Sequence, residues 1–366
     1  VGQAMINIDP IYANRIRRVL ASVREWLDRL GFDATYSSRS GYAMAWLDSA
    51  LAMALGIRND GRVIFGHGGD IASRLDANEA AMTAQANQLA ITAKYTTPSG
   101  IWWYGDSLSQ SGVGPLLAGY LGKQVTVGGV GGLTGNAVSV RYGGEVSFFT
   151  VAGNTIPASG PVDVTVRSVD PINANNTTSL TGKLAGIPGS FSSDGATYWR
   201  FTRTTPGAAL VIDPATPFMI DVLDERMFGT NVFWYGRNNV GTGSFNADVK
   251  RAIADSIAQI KTADKRFVVL SVLNWPGETT GTGNWTAIET LNSELKKLYP
   301  RNYVDVLNLL RRSGDGSAND IADAASGIIP RSLRNSSSDG HLNNTTGNQI
   351  VAKRVFEFLT EKGWTA

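Results

Sequence analysis

Ser107 and His341 are the side chains on which chemistry could turn. Ser107 stands in Tyr104-Gly105-Asp106-Ser107-Leu108-Ser109. Ahead of it, Ile101-Trp102-Trp103-Tyr104 is a β-branched and aromatic run that reads as a short buried strand. Behind it, Gln110-Ser111-Gly112-Val113-Gly114 reads as a loop entering a helix. A serine on the turn between a parallel strand and the next helix lifts its hydroxyl above the sheet edge. Its own backbone N–H then faces the place where an oxyanion would form. Acyl transfer to water also needs a base and further donors. His341, in Ser338-Asp339-Gly340-His341-Leu342-Asn343, is one of 2 histidines and stands just before the last expected helix, which suits a base. The glycine-rich loop 128–135 follows the strand Val125-Thr126-Val127 and offers backbone N–H groups that no side chain shields. Asn238, after the strand Val232-Phe233-Trp234-Tyr235, offers a side-chain amide. Loops at the carboxyl ends of strands in an open parallel sheet share one crevice, so these four groups can converge.

The elements that must position them follow a strand–loop–helix alternation from residue 101 onwards. Helices are expected over 247–262 (Val249, Ile253, Ile257, Ile260), 285–298 (Ile288, Leu291, Leu295, Leu298) and 347–361. Strands are expected at 267–273 and 303–306. Apolar strands alternating with amphipathic helices argue for a parallel sheet covered on both faces. Residues 143–222 differ. Val162, Val164 and Val166 alternate with Asp163, Thr165 and Arg167, and Pro, Gly, Asn and Ser punctuate the stretch. It reads as a small all-β, sandwich-like domain inserted into 98–142 and 223–366. Residues 1–97 read as mostly helical, with helices at 11–31, 43–56 and 75–94 and a strand at 62–65.

The order and spacing of the four blocks resemble the SGNH hydrolases, also called the GDSL family. The first block is complete at Gly105-Asp106-Ser107-Leu108. The second matches at Val130-Gly131-Gly132-Leu133-Thr134, and the third at Gly236-Arg237-Asn238-Asn239, with asparagine for the family's aspartate. The resemblance covers roughly 100–140 and 228–363. It implies a flavodoxin-like three-layer α/β domain with a parallel sheet, to which the residue pattern adds an inserted small all-β domain and a helical N-terminal region. It implies Ser107 as nucleophile, His341 as base, and an oxyanion hole made of the Ser107 N–H, the Gly132 N–H and the Asn238 amide. The fourth block departs from the pattern. The family's aspartate lies three positions before the histidine, which here is Ser338, while Asp339 lies only two before. Asp339 is the expected orienting group, and a backbone carbonyl is the alternative. Residues 36–96 faintly echo part of a second, degenerate copy; a simple connector is the other reading.

The inserted stretch and the Gly-Arg-Asn-Asn block look like SGNH proteins of bacteriophage tails and prophages. That likeness implies an esterase removing acetyl groups from a bacterial surface polysaccharide, in a virion tail or at a cell surface, as a homo-oligomer (a trimer if it belongs to a phage tail). Trp102, Trp103, Trp234, Tyr235 and Trp275 near strand ends, with Trp199 in the inserted stretch, would suit sugar faces, or would simply fill a core. Two other readings stand beside this one: a glycan-binding module with a decayed hydrolase core, and a lipid esterase or thioesterase.

Composition narrows the field. With 43% hydrophobic and 17% charged residues, the 366-residue chain is an ordered globular protein large enough for more than one domain. A net charge of +2 without a basic run gives nucleic acid no footing. The absence of cysteine removes disulfides, thiolate metal sites and a cysteine nucleophile. No segment reads as a bilayer span; the best, 43–57, is short and carries Asp48. The start, Val1-Gly2-Gln3-Ala4-Met5, has neither an initiator methionine nor a signal sequence, which reads as a piece of something longer. No metal or organic cofactor is expected. The bland alternatives are a helix cap for Ser107, an ordinary turn or phosphate cradle for 128–135, caps for Asn238 and Asn239, and a structural loop histidine for His67.

Overall fold

The computed structural model describes residues 100–173, 179–193, 198–221 and 224–365. The expected helices at 11–31, 43–56 and 75–94, the strand at 62–65, His67 and the degenerate copy lie outside the described residues.

Strand β1 (Ile101–Gly105) is buried along its whole length, as its unbroken apolar run requires. Helices α1 (Ser107–Gln110) and α2 (Val113–Leu121) follow. Next come β2 (Val125–Val127) and α3 (Gly135–Tyr142), whose first turn is capped by the Thr134 hydroxyl on the Ala137 N–H. The chain then runs through β3 (Ser147–Val151), β4 (Thr155–Ile156), β5 (Pro161–Val166) and β6 (Ser179–Leu184). It continues as β7 (Ile187–Ser193), β8 (Trp199–Arg203), β9 (Leu210–Val211) and β10 (Thr216–Ile220). After α4 (Asp224–Met227) come β11 (Thr230–Trp234), α5 (Phe245–Ala258), β12 (Phe267–Leu270) and α6 (Gly283–Leu298). The last elements are β13 (Tyr303–Val304), α7 (Val306–Arg311), α8 (Ala318–Ala325) and α9 (Gly347–Glu361).

Five strands pair in parallel in the order β13-β12-β11-β1-β2. From β1 the chain steps to β2 on one side and later to β11 on the other, so the order reverses beside β1. A crevice at the carboxyl ends of the strands opens at such a reversal. The loops after β1, β2 and β11 carry Ser107, Gly132 and Asn238 to that edge. Helix α9 packs on α2 and α3 on α5, and their apolar faces join the sheet in one continuous core.

The expectation of a flavodoxin-like three-layer SGNH fold with a sandwich-like insertion is corrected here. The fold is mixed: β10-β3-β5-β8-β7-β6 close into a six-stranded antiparallel barrel, which is no part of a flavodoxin-like arrangement, and the parallel sheet is separate from it. The alternating strands turn Phe149, Phe191, Phe201 and Phe218 into one interior, with the Phe149 and Phe191 rings 4.2 Å apart and Phe149 and Phe218 stacked at 5.0 Å. Each buried phenylalanine stabilises by roughly 1.5–3 kcal/mol. Closure also leaves no unpaired edge, which two packed sheets would not achieve. Alternation fixes which side chains face inward but is the same for a sandwich and a barrel.

Candidate active site

Glycine is required at position 105, because a Cβ there would collide with Ser109 Oγ and the Trp234 carbonyl. The indole N–H of Trp103, fully buried, donates to Ser109 Oγ at 3.1 Å and pins the same turn. Asp106 caps α1 by accepting the Leu108 N–H at 3.0 Å. The turn thus places Ser107 at the first helical position, half-buried, where a backbone N–H has no helical acceptor.

Ser107 Oγ lies 2.9 Å from His341 Nε2, and His341 Nδ1 lies 2.7 Å from Asp339 Oδ1. With the carboxylate accepting from Nδ1–H, Nε2 is left to accept the serine hydroxyl proton. The short spacing is accommodated by an Asx turn: Asp339 Oδ1 also accepts the His341 backbone N–H at 2.9 Å. Gly340 lets this turn fit, since a Cβ there would run into the Trp275 ring. Ser338 makes its contact with Ser336 instead, at 3.4 Å between the hydroxyl oxygens. Arg334 braces the loop from below. It donates to the carbonyls of Ser337 and Asp339 at 2.7 and 3.2 Å and pairs with the buried Asp323 at 2.9 Å. Burial pushes the Asp339 carboxyl up, but the His341 N–H, its side chain and charge, and Asn335 outweigh this and leave it below the usual carboxylate range.

The expected oxyanion donors come from three loops. Gly132 sits at φ +77, a left-handed conformation that favours glycine. Asn238 is exposed and donates to the Leu133 carbonyl at 2.9 Å, which joins the loop after β11 to the glycine loop. Among the described residues, neither the Ser107 N–H nor the Gly132 N–H is spent on an intramolecular acceptor. Asn239, by contrast, is structural: buried, it accepts the Gly135 N–H at 2.7 Å and donates to Asn136 at 3.2 Å.

Two groups behind the site had no role assigned from the sequence. Arg237 forms a two-pronged ion pair with Glu278 at 2.6–2.7 Å, and its guanidinium lies 4.9 Å above Trp275. Trp275 in turn meets the His341 ring edge-on at 5.1 Å, so this pair backs the imidazole. Arg237 was visible within the Gly-Arg-Asn-Asn block; Glu278 carries no local signal. Asp106 is the second such group. Burial raises its carboxyl from 3.8 to about 6, against the Leu108 N–H, the charges of Arg237 and His341, and the Arg237 N–H. Because the folded value lies above the unfolded one, the stability this protonation contributes is complete below pH 3.8 and lost as pH rises through about 6. Asp106→Asn keeps the cap acceptor and removes the charge. Wild type should therefore gain up to ~3 kcal/mol on acidification through that window relative to Asp106→Asn. Melting curves for both proteins across it check this, and parallel pH profiles would contradict it.

Of the two readings of the aromatic residues near strand ends, the core-filling one holds for most of them. Trp102, Trp103, Trp234 and Tyr235 are core side chains, with Trp234 bonded to the Ser271 carbonyl at 3.0 Å, because the strands carrying them are covered over their whole length. Trp199 donates to Asp170 at 2.9 Å beside the barrel, and of the six only Trp275 packs edge-on against His341. A cleft of about 460 Å³ opens beside Gly132, lined by Thr134, Asp170, Asn173, Thr242 and Asp248 among others; Ser107 and His341 are not in its wall. Among the described residues no group of three or more His, Cys, Asp or Glu could hold a metal ion. No described helix is long and apolar enough to cross a membrane.

Among curated proteins, the tail spike protein of Salmonella phage epsilon15 is 30% identical to this chain over an alignment of 253 positions that covers 59% of this chain and 22% of that protein. This chain thus spans less than a quarter of that relative's length. Among solved structures, a gut microbial diltiazem-metabolizing enzyme aligns with a TM-score of 0.36 and 10% identity, over 72% of this chain and 48% of that one. A protein put forward as a platelet activating factor from Streptococcus pneumonia aligns at 0.37 and 14%, over 76% and 99%. No family model matches the chain.

Proposed function

We propose that this chain is a serine esterase of a phage tail spike, acting on an O-acetylated bacterial surface polysaccharide. The observation that carries the reading is the line Ser107 Oγ to His341 Nε2 at 2.9 Å and His341 Nδ1 to Asp339 at 2.7 Å. The complete Gly-Asp-Ser-Leu block and the glycine loop support it, as do Asn238 and His341 in two blocks that depart from the pattern at Asn239 and Ser338, and the likeness to a tail spike protein supplies the setting in a virion tail. Residues 143–222 are read as an insertion between 98–142 and 223–366, with 1–97 as a separate N-terminal region.

In this mechanism Ser107 Oγ attacks the acetyl carbonyl while its proton passes to His341 Nε2. Negative charge builds on the carbonyl oxygen, which the Ser107 N–H, the Gly132 N–H and the Asn238 amide meet. His341 then gives that proton to the departing sugar oxygen, which leaves acetyl-Ser107; it next takes a proton from the attacking water and returns it to Ser107 Oγ as acetate departs. The polar cleft beside Gly132 gives the sugar room and hydrogen-bonding partners.

Asn238→Ala should lower kcat about a hundredfold with little change in KM, since the amide meets the oxyanion more than the ground-state carbonyl. Steady-state kinetics on p-nitrophenyl acetate read this; a rise in KM alone would place Asn238 in substrate binding instead. Acetate release across a panel of acetylated capsular and O-antigen glycans tests the substrate class. Release from one or a few glycans is expected, and an equal response to all would remove the case for a dedicated polysaccharide.

A further inference from the structure

The oxyanion donor Gly132 lies in a run of glycines, and glycine peptides rotate readily because no Cβ restrains them. Something must therefore fix the direction of its N–H. The Gly131 C=O and the Gly132 N–H belong to one planar trans peptide and point opposite ways, so whatever holds the oxygen aims the hydrogen. That oxygen accepts a hydrogen bond from Asn173 Nδ2 at 3.1 Å. The preceding peptide is held as well, with the Gly131 N–H donating to Gln110 Oε1 at 2.9 Å. Asn238 pins the Leu133 carbonyl beyond it at 2.9 Å. A Cβ at residue 132 would strike the Asn173 amide, so the two groups are in direct contact.

Asn173 comes from the chain between β5 and β6, outside all four sequence blocks. Its neighbour Ile172 is 1% exposed and packs in the barrel interior. Asp170 accepts the Ile172 N–H and the Trp199 indole N–H, both at 2.9 Å. Arg141, at the end of α3, donates to the Pro171 carbonyl at 3.3 Å, and Val169 packs against the core of the parallel sheet. The segment is thus fastened on the barrel side and on the sheet side, which gives the Asn173 amide a fixed base.

We propose that Asn173 is a positioning residue for catalysis: by holding the Gly131 carbonyl it aims the Gly132 N–H at the oxyanion, so the barrel segment completes the active site. This rests on the esterase reading above. It is tested with the full chain by kinetics on p-nitrophenyl acetate and by inhibition with phenylboronic acid, whose tetrahedral adduct forms as Ser107 Oγ bonds boron and gives its proton to His341. Asn173→Ala should lower kcat about tenfold and weaken the boronate by a similar factor, with KM and melting temperature unchanged. Asn173→Asp keeps the shape but turns an acceptor towards the Gly131 carbonyl, and should lose more than Asn173→Ala. It also serves if the alanine variant does not fold. A variant with wild-type kcat and unchanged boronate affinity would overturn the proposal while leaving the esterase reading intact. A loss that tracks a fall in melting temperature would also overturn it. Absence of turnover in the wild type would remove the esterase reading, and the proposal with it.

Discussion

Ser107→Ala is expected to lower kcat on p-nitrophenyl acetate by about 10⁴- to 10⁶-fold while leaving the fold intact. The hydroxyl is the only side-chain group that the substitution removes, 2.9 Å from His341 Nε2. Alanine is a good helix former at the first position of α1, and the Asp106 cap is set by Leu108 rather than by Ser107. Melting temperature and near-UV circular dichroism should therefore match wild type. The residual rate would come from the backbone donors, which the substitution leaves in place. Turnover within about tenfold of wild type would mean that another nucleophile carries the reaction.

Asp339→Asn should cost about 10³- to 10⁴-fold in kcat with a near-normal KM. An asparagine can still accept the His341 backbone N–H and preserve the Asx turn. Its NH₂ can, however, present itself to Nδ1 and stabilise the tautomer that carries the proton on Nε2, where it blocks removal of the serine proton. It also removes the negative charge that supports the imidazolium. Since the Asp339 carboxyl lies below the usual carboxylate range, the wild-type pair should keep its charge well into the acid. The acid limb of the pH–rate profile should then not report Asp339 near its ordinary value. A fall in stability with unchanged kcat would instead make Asp339 a loop brace.

Much of the site was legible because its demands are local. The buried strand at 101–104, the glycine that Ser109 and Trp234 leave no room to replace, and the serine after it occupy adjacent positions. The helix over Gly347–Glu361 follows from its apolar spacing. Other elements were less so. Helix α5 stops at Ala258 and β12 at Leu270, before the expected ends at 262 and 273. The orienting carboxylate stayed open because an Asx turn, not a spacing rule, brings Asp339 to His341. Sandwich and barrel share one alternation, and only pairing of β10 with both β3 and β6 separates them. Whether the aromatic residues near strand ends face a sugar or fill the core stayed open, because depth in the core leaves no mark in sequence. Asn173 was invisible for another reason: its partner lies 42 residues away, in a different kind of element.

The central claim is that Ser107 carries the acyl group. Peptide mass spectrometry after acid quench of the enzyme with p-nitrophenyl acetate tests it most directly. One acetyl group is expected on the peptide containing Ser107, and none there in Ser107→Ala. Wild-type hydrolysis with the Ser107 peptide unmodified throughout, or acetylation at another residue that turns over at the rate of product formation, would contradict the account.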